Sequence, residues 1–400
     1  MHILFLTLLG FESLSERNIY TDLLREFVKN GHQIYAISPV EKREGKETHT
    51  VHEENATILR LRISNTQKTN VIEKGISTLL LESHYKAAIK KFFTGVKFDL
   101  VLYSTPPITV VSAITYVKKR DRAKTYLLLK DIFPQNAVDI GLMRTTGLKG
   151  LLYKYFRKQE KKLYRISDRI GCMSQANVDY VLRHNPEVDP KKVEVCPNSI
   201  DVIDKSVDEN IRREIRDRYS IPQEKKIFVY GGNLGKPQGI PFLIECLRKC
   251  IDIEDVYFLI IGEGTEYHLI SDYIEKEKPV NVKLMRQLPK EDYDSMVGAC
   301  DVGLIFLDHR FTIPNFPSRL LSYMAAKLPV LAVTDPNTDI GKVIAEGGFG
   351  WRCEADDPEM VKNCVQIITQ SNLQEYGFSG YEYLNNNYTA TESYNIIMNA

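Results

Sequence analysis

The chain has 400 residues, and 53 Lys and Arg stand against 52 Asp and Glu. The resulting net charge of +1 argues against nucleic-acid binding by bulk electrostatics. With 43% hydrophobic and 26% charged residues the composition is that of a soluble globular protein. The length exceeds what one α/β core carries, so two domains are expected.

The opening run Met1-His2-Ile3-Leu4-Phe5-Leu6-Thr7-Leu8-Leu9 is too short to span a membrane and lacks a basic lead-in and a cleavage site. It reads as a buried first strand, His2–Leu9. Further strands are expected at Gln33–Pro39, Ala56–Ile63, Asp99–Ser104, Thr125–Leu129, Arg169–Met173 and Val193–Cys196. Between the first two lies a helix, Asn18–Asn30, in which Ile19, Leu23 and Phe27, and Tyr20, Leu24 and Val28, recur every four residues until Gly31 stops it. Asp201–Arg218 is dense in charge, as a connector running into a solvated helix would be. A second series follows, with strands expected at Ile227–Tyr230, Tyr257–Ile261, Val282–Met285, Val302–Phe306, Pro329–Val333 and Gly350–Arg352. The alternation throughout predicts parallel sheets covered by helices on both faces, that is, two doubly wound domains with ligands beyond the C-terminal strand edges. The end of the chain, Thr389–Ala400, reads as a helix through Tyr394, Ile396, Ile397 and Met398. The seven cysteines are scattered; Cys246 and Cys250 lie one helical turn apart without a nearby His or Cys to complete a metal pattern, and the set reads as reduced core thiols.

Five segments carry candidate chemistry. Leu129-Lys130-Asp131-Ile132-Phe133-Pro134-Gln135-Asn136 places a carboxylate, Asp131, at a strand end, where it serves either as a turn residue or as a group that orients a hydroxyl and accepts its proton. Arg144 to Arg165 is heavily basic with interleaved Leu and aromatic residues, either a solvated helix face or a surface for anionic lipid headgroups. Tyr230-Gly231-Gly232-Asn233-Leu234-Gly235-Lys236-Pro237-Gln238-Gly239 follows a strand; its glycines let backbone N–H groups approach a phosphate and Lys236 supplies charge, although Pro237 rules out a Walker loop. Ile261-Gly262-Glu263-Gly264-Thr265-Glu266 forms a backbone-lined slot with carboxylates beside it, suited to a nucleoside. In Phe316-Pro317-Ser318-Arg319-Leu320-Leu321-Ser322-Tyr323, Arg319 opens a helix and brings a forked positive charge to its start.

Taken together, these segments, with Ile19 to Phe27, Gly31-His32 and Cys196-Pro197-Asn198-Ser199-Ile200-Asp201, resemble the retaining, nucleotide-sugar-dependent family-four glycosyltransferases of GT-B fold. The likeness is to the fucosamine-transferase-like enzymes of O-antigen and capsule assembly. It implies two Rossmann-like domains facing across a cleft: an acceptor-binding domain over residues 1–198, a donor-binding domain over 199–384, and a last helix, 385–400, packing back on the first domain, with closure on donor binding. It implies that Gly262, Glu263, Gly264, Arg286 and Ser322 hold the nucleoside. Gly232, Asn233, Lys236, Ser318 and Arg319 would hold the diphosphate, and Asp131, Lys236 and Arg319 would act in catalysis. Tyr20, Asn315 and Asp339 are placed near the sugar or the acceptor, the last as a substitute carboxylate in Asp335-Pro336-Asn337-Thr338-Asp339. The leaving phosphate would assist the incoming hydroxyl, with neither a metal nor a cofactor beyond the donor, expected to be linked to uridine diphosphate. The implied acceptor is a lipid-linked glycan on a polyprenyl diphosphate, met at the inner face of the cytoplasmic membrane through the basic 144–165 region.

Two departures from the family pattern stand out. The family's two glutamates, separated by seven residues before the Pro-Val strand, fall on Pro314 and Ser322; the spaced pair Glu346 and Glu354 lies past that strand. The family's Arg and Lys in the first glycine loop fall on Asn233 and Gln238. A nucleotide-sugar epimerase sharing the fold, and a protein that binds a sugar nucleotide without turnover, are the competing readings. His184, His268 and His309 are the late histidines available to the epimerase, none in a recognisably acidic setting.

Overall fold

The structure, a computed structural model, describes residues 1–65 and 71–400, and of these the side chains of 71–80, 148 and 149 lie outside the described set. The chain divides into two compact units, Met1–Asp201 with Ala390–Ala400, and Val202–Thr389.

Unit 1 runs β1 (His2–Leu6), α1 (Ile19–Lys29), β2 (Gln33–Glu41), β3 (His49–Glu53), β4 (Ala56–Ile63), α2 (Val71–Phe92), β5 (Leu100–Ser104), α3 (Val111–Asp121), β6 (Lys124–Leu129), α4 (Gln135–Asp139), α5 (Gly147–Ile166), β7 (Arg169–Cys172), α6 (Gln175–His184) and β8 (Val193–Val195). The sheet order is β3-β4-β2-β1-β5-β6-β7-β8, parallel apart from the antiparallel β3–β4 pair. β1 is shorter than expected, ending at Leu6, because Thr7 and the residues after it turn away; Leu9 N–H donates to Thr7 Oγ1 at 3.0 Å. The apolar stripe of α1 seats Leu23, Leu24 and Phe27 in the core. Asn18 caps this helix, accepting from Tyr20 N and Thr21 N.

Unit 2 runs α7 (Glu209–Arg218), β9 (Lys226–Asn233), α8 (Ile240–Lys249), β10 (Val256–Glu263), α9 (Tyr267–Glu277), β11 (Val282–Met285), α10 (Lys290–Gly298), β12 (Val302–Phe306), α11 (Arg319–Ala325), β13 (Val330–Thr334), α12 (Ile340–Glu346), β14 (Gly350–Glu354), α13 (Pro358–Thr369) and α14 (Leu373–Asn387). Its six strands are all parallel in the order β11-β10-β9-β12-β13-β14, so the direction of winding reverses between β9 and β12. A crevice beyond the C-terminal ends of those two strands is the usual ligand position in such a sheet. β9 and β10 outrun their expected ends and carry the glycines inside the ladder, pairing Gly231 with Ile261, Gly232 with Gly262 and Asn233 with Glu263. These residues were expected in loops. They pair because a Cβ on Gly262 would lie 1.9 Å from Gly232 O, so the absence of side chains is what lets the two backbones approach.

The unit borders fall slightly beyond 198 and 384. Asp201 stays with unit 1 because its N–H donates to Asp22 Oδ2 at 3.0 Å and its carboxylate accepts from Arg25 Nε and Nη2 at 3.0 and 2.8 Å. Residues up to Thr389 stay with unit 2, where Tyr388 packs on Tyr383 and Phe316. The last helix, α15 (Ala390–Asn399), belongs to unit 1 and lies on α1. Its Tyr394 ring meets Phe27 at 4.9 Å and its hydroxyl is 3.0 Å from His32 Nε2.

Candidate functional site

At the β9–β12 switch point of unit 2 the side chain of Arg319, the first residue of α11, lies over the ring of Tyr230, with Cζ 4.5 Å from the centroid. Tyr323, one turn along the same helix, donates its hydroxyl to Leu304 O at 3.1 Å and accepts from Gly231 N at 3.2 Å. Tyr293 on α10 fills the space that a Gly231 side chain would take. Burial pushes the Tyr293 phenol up to about 12, so it stays neutral beside the guanidinium. The guanidinium faces Gly232, whose φ of +128° suits glycine alone; a Cβ there would stand 3.5 Å from Arg319 Nη2. Arg319 has no carboxylate partner among the described residues, and its buried Nη1 makes no hydrogen bond. A buried cationic donor held by aromatic rings and left unsatisfied is a group waiting for an anion. Gly232 and Arg319 are thus brought together.

Other expected diphosphate residues are arranged differently. Asn233 Nδ2 donates to Gln238 Oε1 at 3.0 Å, so the two positions where the resembled family carries Arg and Lys form one neutral pair that braces the loop. Lys236 is exposed at the start of a short 3-10 turn, Lys236–Gln238. Ser318 precedes α11 with helical backbone angles and makes no side-chain capping bond.

The Gly262–Gly264 segment packs backbone against backbone: Leu234 N donates to Glu263 O at 2.8 Å and Glu266 N donates to Leu234 O at 2.9 Å. Arg286, just past β11, stacks on Tyr267, with Cζ 3.9 Å from the ring centroid. Glu266 presents a buried Oε2 without a hydrogen bond; burial raises its carboxyl above the usual range, Lys236 pulls it down and Asp308 pushes it up. Asp308, on the loop after β12, is raised by burial, but Arg310, at 2.6 Å, outweighs this and holds it below the usual range. Asp308 N donates to Pro237 O at 3.0 Å, which ties that loop to the glycine loop.

Asn315 and Asp339 are connected through Thr338, whose hydroxyl donates to Asn315 O at 2.5 Å. Asn315 Nδ2 is buried without a partner. Asp335 is used by its own turn, accepting from Asn337 N at 2.9 Å and Thr338 N at 3.1 Å. Ser322 is half-buried on α11.

In unit 1 a second cluster forms at the C-terminal ends of β1, β5 and β6. Both oxygens of Asp131 accept from Asn136 Nδ2, at 2.7 and 2.8 Å. Burial raises the Asp131 carboxyl to about 6, with the Asn136 bond opposing. Thr105 fixes the backbone there, its Oγ1 accepting from Lys130 N at 3.0 Å and Asp131 N at 3.2 Å. Tyr20 stands close enough for the Asp131 charge to be felt, and burial raises its phenol to about 12. Tyr20 and Asp131 are therefore neighbours in unit 1. The sequence marks Asn136 only by its spacing of five from Asp131 across Pro134, and Thr105 not at all. Tyr230 and Tyr323 carry a local signal, being adjacent to Gly231 and one turn from Arg319. Nothing local marked Tyr293.

The Arg144–Arg165 stretch becomes α5 and the turn before it, though the side chains of Leu148 and Lys149 lie outside the described residues. Its far half is structural, with Phe156, Leu163 and Tyr164 buried and Arg157 on Glu160 at 2.6 Å. Its near end exposes Leu151 and Leu152, at 63 and 45%, with Leu142 just before it at 64%, beside exposed Arg144, Lys154 and Lys158. Among the described residues no helix is long and apolar enough to cross a membrane. Six cysteines, Cys246 and Cys250 among them, are free and buried, and Cys364 is free and half-buried.

Two Rossmann-like α/β units with parallel sheets define the GT-B architecture, and the chain is a glycosyltransferase of that class by fold and domain content. Residues 17–203 match the family described as Glycosyltransferase Family 4, and residues 211–376 the family described as Glycosyl transferases group 1. The chain is 24% identical over 324 residues to WbjE of Pseudomonas aeruginosa, named a probable glycosyltransferase, covering 80% of this chain and 78% of that protein. It is 22% identical over 286 residues to WcaI of Escherichia coli (strain K12), named as a candidate glycosyl transferase of colanic acid biosynthesis, covering 69% and 67%. Among solved structures, HepE of Anabaena in complex with UDP superposes with a TM-score of 0.69 at 13% identity, over 100% of this chain and 99% of that one.

Proposed function

We propose that the protein transfers a sugar, with retention of configuration, from a uridine diphosphate donor to a lipid-linked glycan during assembly of a surface polysaccharide. The observation that carries this reading is the unsatisfied, ring-held guanidinium of Arg319 facing Gly232 at the switch point of unit 2. A departing diphosphate gains charge in the transition state, and a fixed donor at that spot stabilises it most when charge is greatest. Lys236 supplies a second, mobile charge from the adjacent loop. The slot beside Gly262, Glu263 and Gly264, with Arg286, holds the nucleoside, and Ser322 bonds the ribose. Asn315 and Asp339 contact the donor sugar. In unit 1, Asp131 orients the acceptor hydroxyl, and Tyr20 beside it supplies a neutral donor. The leaving phosphate takes the proton of that hydroxyl as the new glycosidic bond forms, so no carboxylate nucleophile is required. The structural neighbour with bound UDP favours uridine, and the name of the WcaI relative, which refers to colanic acid biosynthesis, favours polysaccharide assembly. The exposed Leu142, Leu151 and Leu152 with their basic neighbours rest on the inner face of the cytoplasmic membrane, where such an acceptor sits.

The test is calorimetric titration with uridine and guanosine diphosphates, for the natural protein and for Arg319→Ala. Uridine-selective binding that collapses in the variant supports the donor site. Binding of neither nucleotide sinks it and moves a non-catalytic role forward, a role the neutral Asn233–Gln238 pair would suit.

A further inference from the structure

A groove of about 840 Å³ opens in unit 1 between α2, α3 and α5, sharing Lys162 and Arg165 with the far end of the basic 144–165 stretch and otherwise lined by residues given no role above. Five cations line it, Lys86, Lys119, Arg120, Lys162 and Arg165, against one carboxylate, Glu82. That carboxylate is already engaged: its Oε1 accepts from Ser112 N at 2.5 Å, at the start of α3. Arg120 is neutralised by Asp121, with Nε and Nη2 each 2.6 Å from a carboxylate oxygen. Lys86, Lys119, Lys162 and Arg165 have no ion pair among the described residues. The charge is also focused. Three cations gather round the single ring of Tyr116: Lys90 at 5.1 Å, Arg120 at 5.5 Å and Lys86 at 6.0 Å from its centroid.

Like charges drawn together on low-dielectric walls repel one another, and a concave surface strengthens the field they share. Ordinary surface lysines avoid this by pairing or by spreading into solvent; in unit 1, Lys161 pairs with Glu187 at 2.8 Å and Lys118 with Asp168 at 2.7 Å. Cations converging from three helices on one groove in excess of its counter-charges, Glu82 in the lining and Asp121 on Arg120, form a surface matched to a multivalent anion. The volume lies in the range of small-molecule sites and exceeds a lone phosphate, while Val111 and Ile166 give the groove an apolar wall.

We propose that this groove binds a phosphate or diphosphate group carrying an organic substituent, the chemistry shared by an acidic lipid headgroup and a soluble phosphorylated metabolite. The proposal depends neither on the donor site nor on sugar transfer.

Lys86→Glu/Lys119→Glu tests it, because both residues lie outside the basic α5 stretch. The test is run on an Arg319→Ala background, so that the donor site contributes no anion binding. Two probes are used: inorganic pyrophosphate by calorimetry, and co-sedimentation with phosphatidylcholine vesicles with and without phosphatidylglycerol. Each cation removed from an anionic surface is worth about fivefold in affinity, so the charge-reversed protein is expected to bind at least about 25-fold more weakly. The Lys86→Arg/Lys119→Arg protein retains binding, and circular dichroism verifies that both variants fold. Loss confined to the phosphatidylglycerol vesicles identifies a lipid headgroup as the source; loss of pyrophosphate binding identifies a soluble phosphate. Unchanged affinity for both probes in the charge-reversed protein, or binding of neither probe by its parent, overturns the proposal.

Discussion

Arg319 and Asp131 illustrate how environment turns common side chains into specialised ones. Arg319 is boxed by Tyr230, Tyr293 and Tyr323, so its fork has little freedom left to lose on meeting a phosphate. Arg319→Ala is expected to lower turnover with a uridine diphosphate sugar and membrane acceptors by about 3–4 kcal/mol of barrier, the cost of one lost oxyanion donor. Arg319→Lys is expected to recover only part, since an ammonium is a point charge without the bidentate geometry. Equal rates for the three proteins would remove Arg319 from the chemistry. Asp131 makes a pH prediction. Its folded carboxyl titrates at about 6, above the 3.8 of a free aspartate, because burial penalises the charged form. The folded state therefore holds a proton that the unfolded chain has released between about 3.8 and 6. The Asp131 contribution to stability is full below that window and is lost as pH rises through it. Asp131→Asn is expected to raise the melting temperature at neutral pH while cutting transfer. In the natural enzyme kcat/KM is expected to fall on the acid side with an apparent pKa near 6, and a profile flat through that region would contradict a role for ionised Asp131.

At the scale of elements, the buried strands were legible because an apolar run bounded by turn residues has few other fates. β3 was not: His49-Thr50-Val51-His52-Glu53 is polar and partly exposed, and it becomes a strand only because β4 offers an open edge. Nor were the true ends of β9 and β10, since glycine weakens a strand taken alone and the gain comes from close approach of two glycine strands, a tertiary fact. The same limit hid Tyr293, which reaches Arg319 across the fold, and the groove cations, which are unremarkable on each helix separately. The order of motifs along the chain, by contrast, sufficed to place Arg319 beside Gly232. The glycine pairing gives a sharp contrast in backbone tolerance. Gly262→Ala forces a Cβ to 1.9 Å from Gly232 O, so the β9–β10 ladder must open; the cost is expected at about 1–3 kcal/mol or more, with loss of nucleotide binding. Gly95→Ala meets nothing within 4 Å and is expected to be neutral. Thermal melts of the two variants, with uridine diphosphate titrations, check both outcomes.

On the scale of the whole molecule, the chain leaves unit 2 after Thr389 and completes unit 1 with its last helix. α15 belongs to the unit 1 core: Ile397 is buried, Ser393 is buried, Ala390 N donates to Ile200 O at 2.9 Å, and Tyr394 bridges Phe27 and His32. The same patch of α1 is held from its other side by the Asp22–Arg25–Asp201 cluster, in which burial lifts the Asp22 carboxyl and the Asp201 N–H and Arg25 pull it down. Burying one large apolar side chain is worth about 1.5–3 kcal/mol, so removing Ile397 together with the half-buried Tyr394, Ile396 and Met398 should cost unit 1 about 5 kcal/mol. Deleting residues 390–400 is therefore expected to lower the unit 1 transition in scanning calorimetry while leaving that of unit 2 in place. With the donor site in unit 2 as proposed, nucleotide affinity should persist in the truncated protein even as acceptor-dependent transfer fails. A truncation that shifted both transitions equally would mean that α15 stabilises the molecule as a single cooperative body rather than one unit of it.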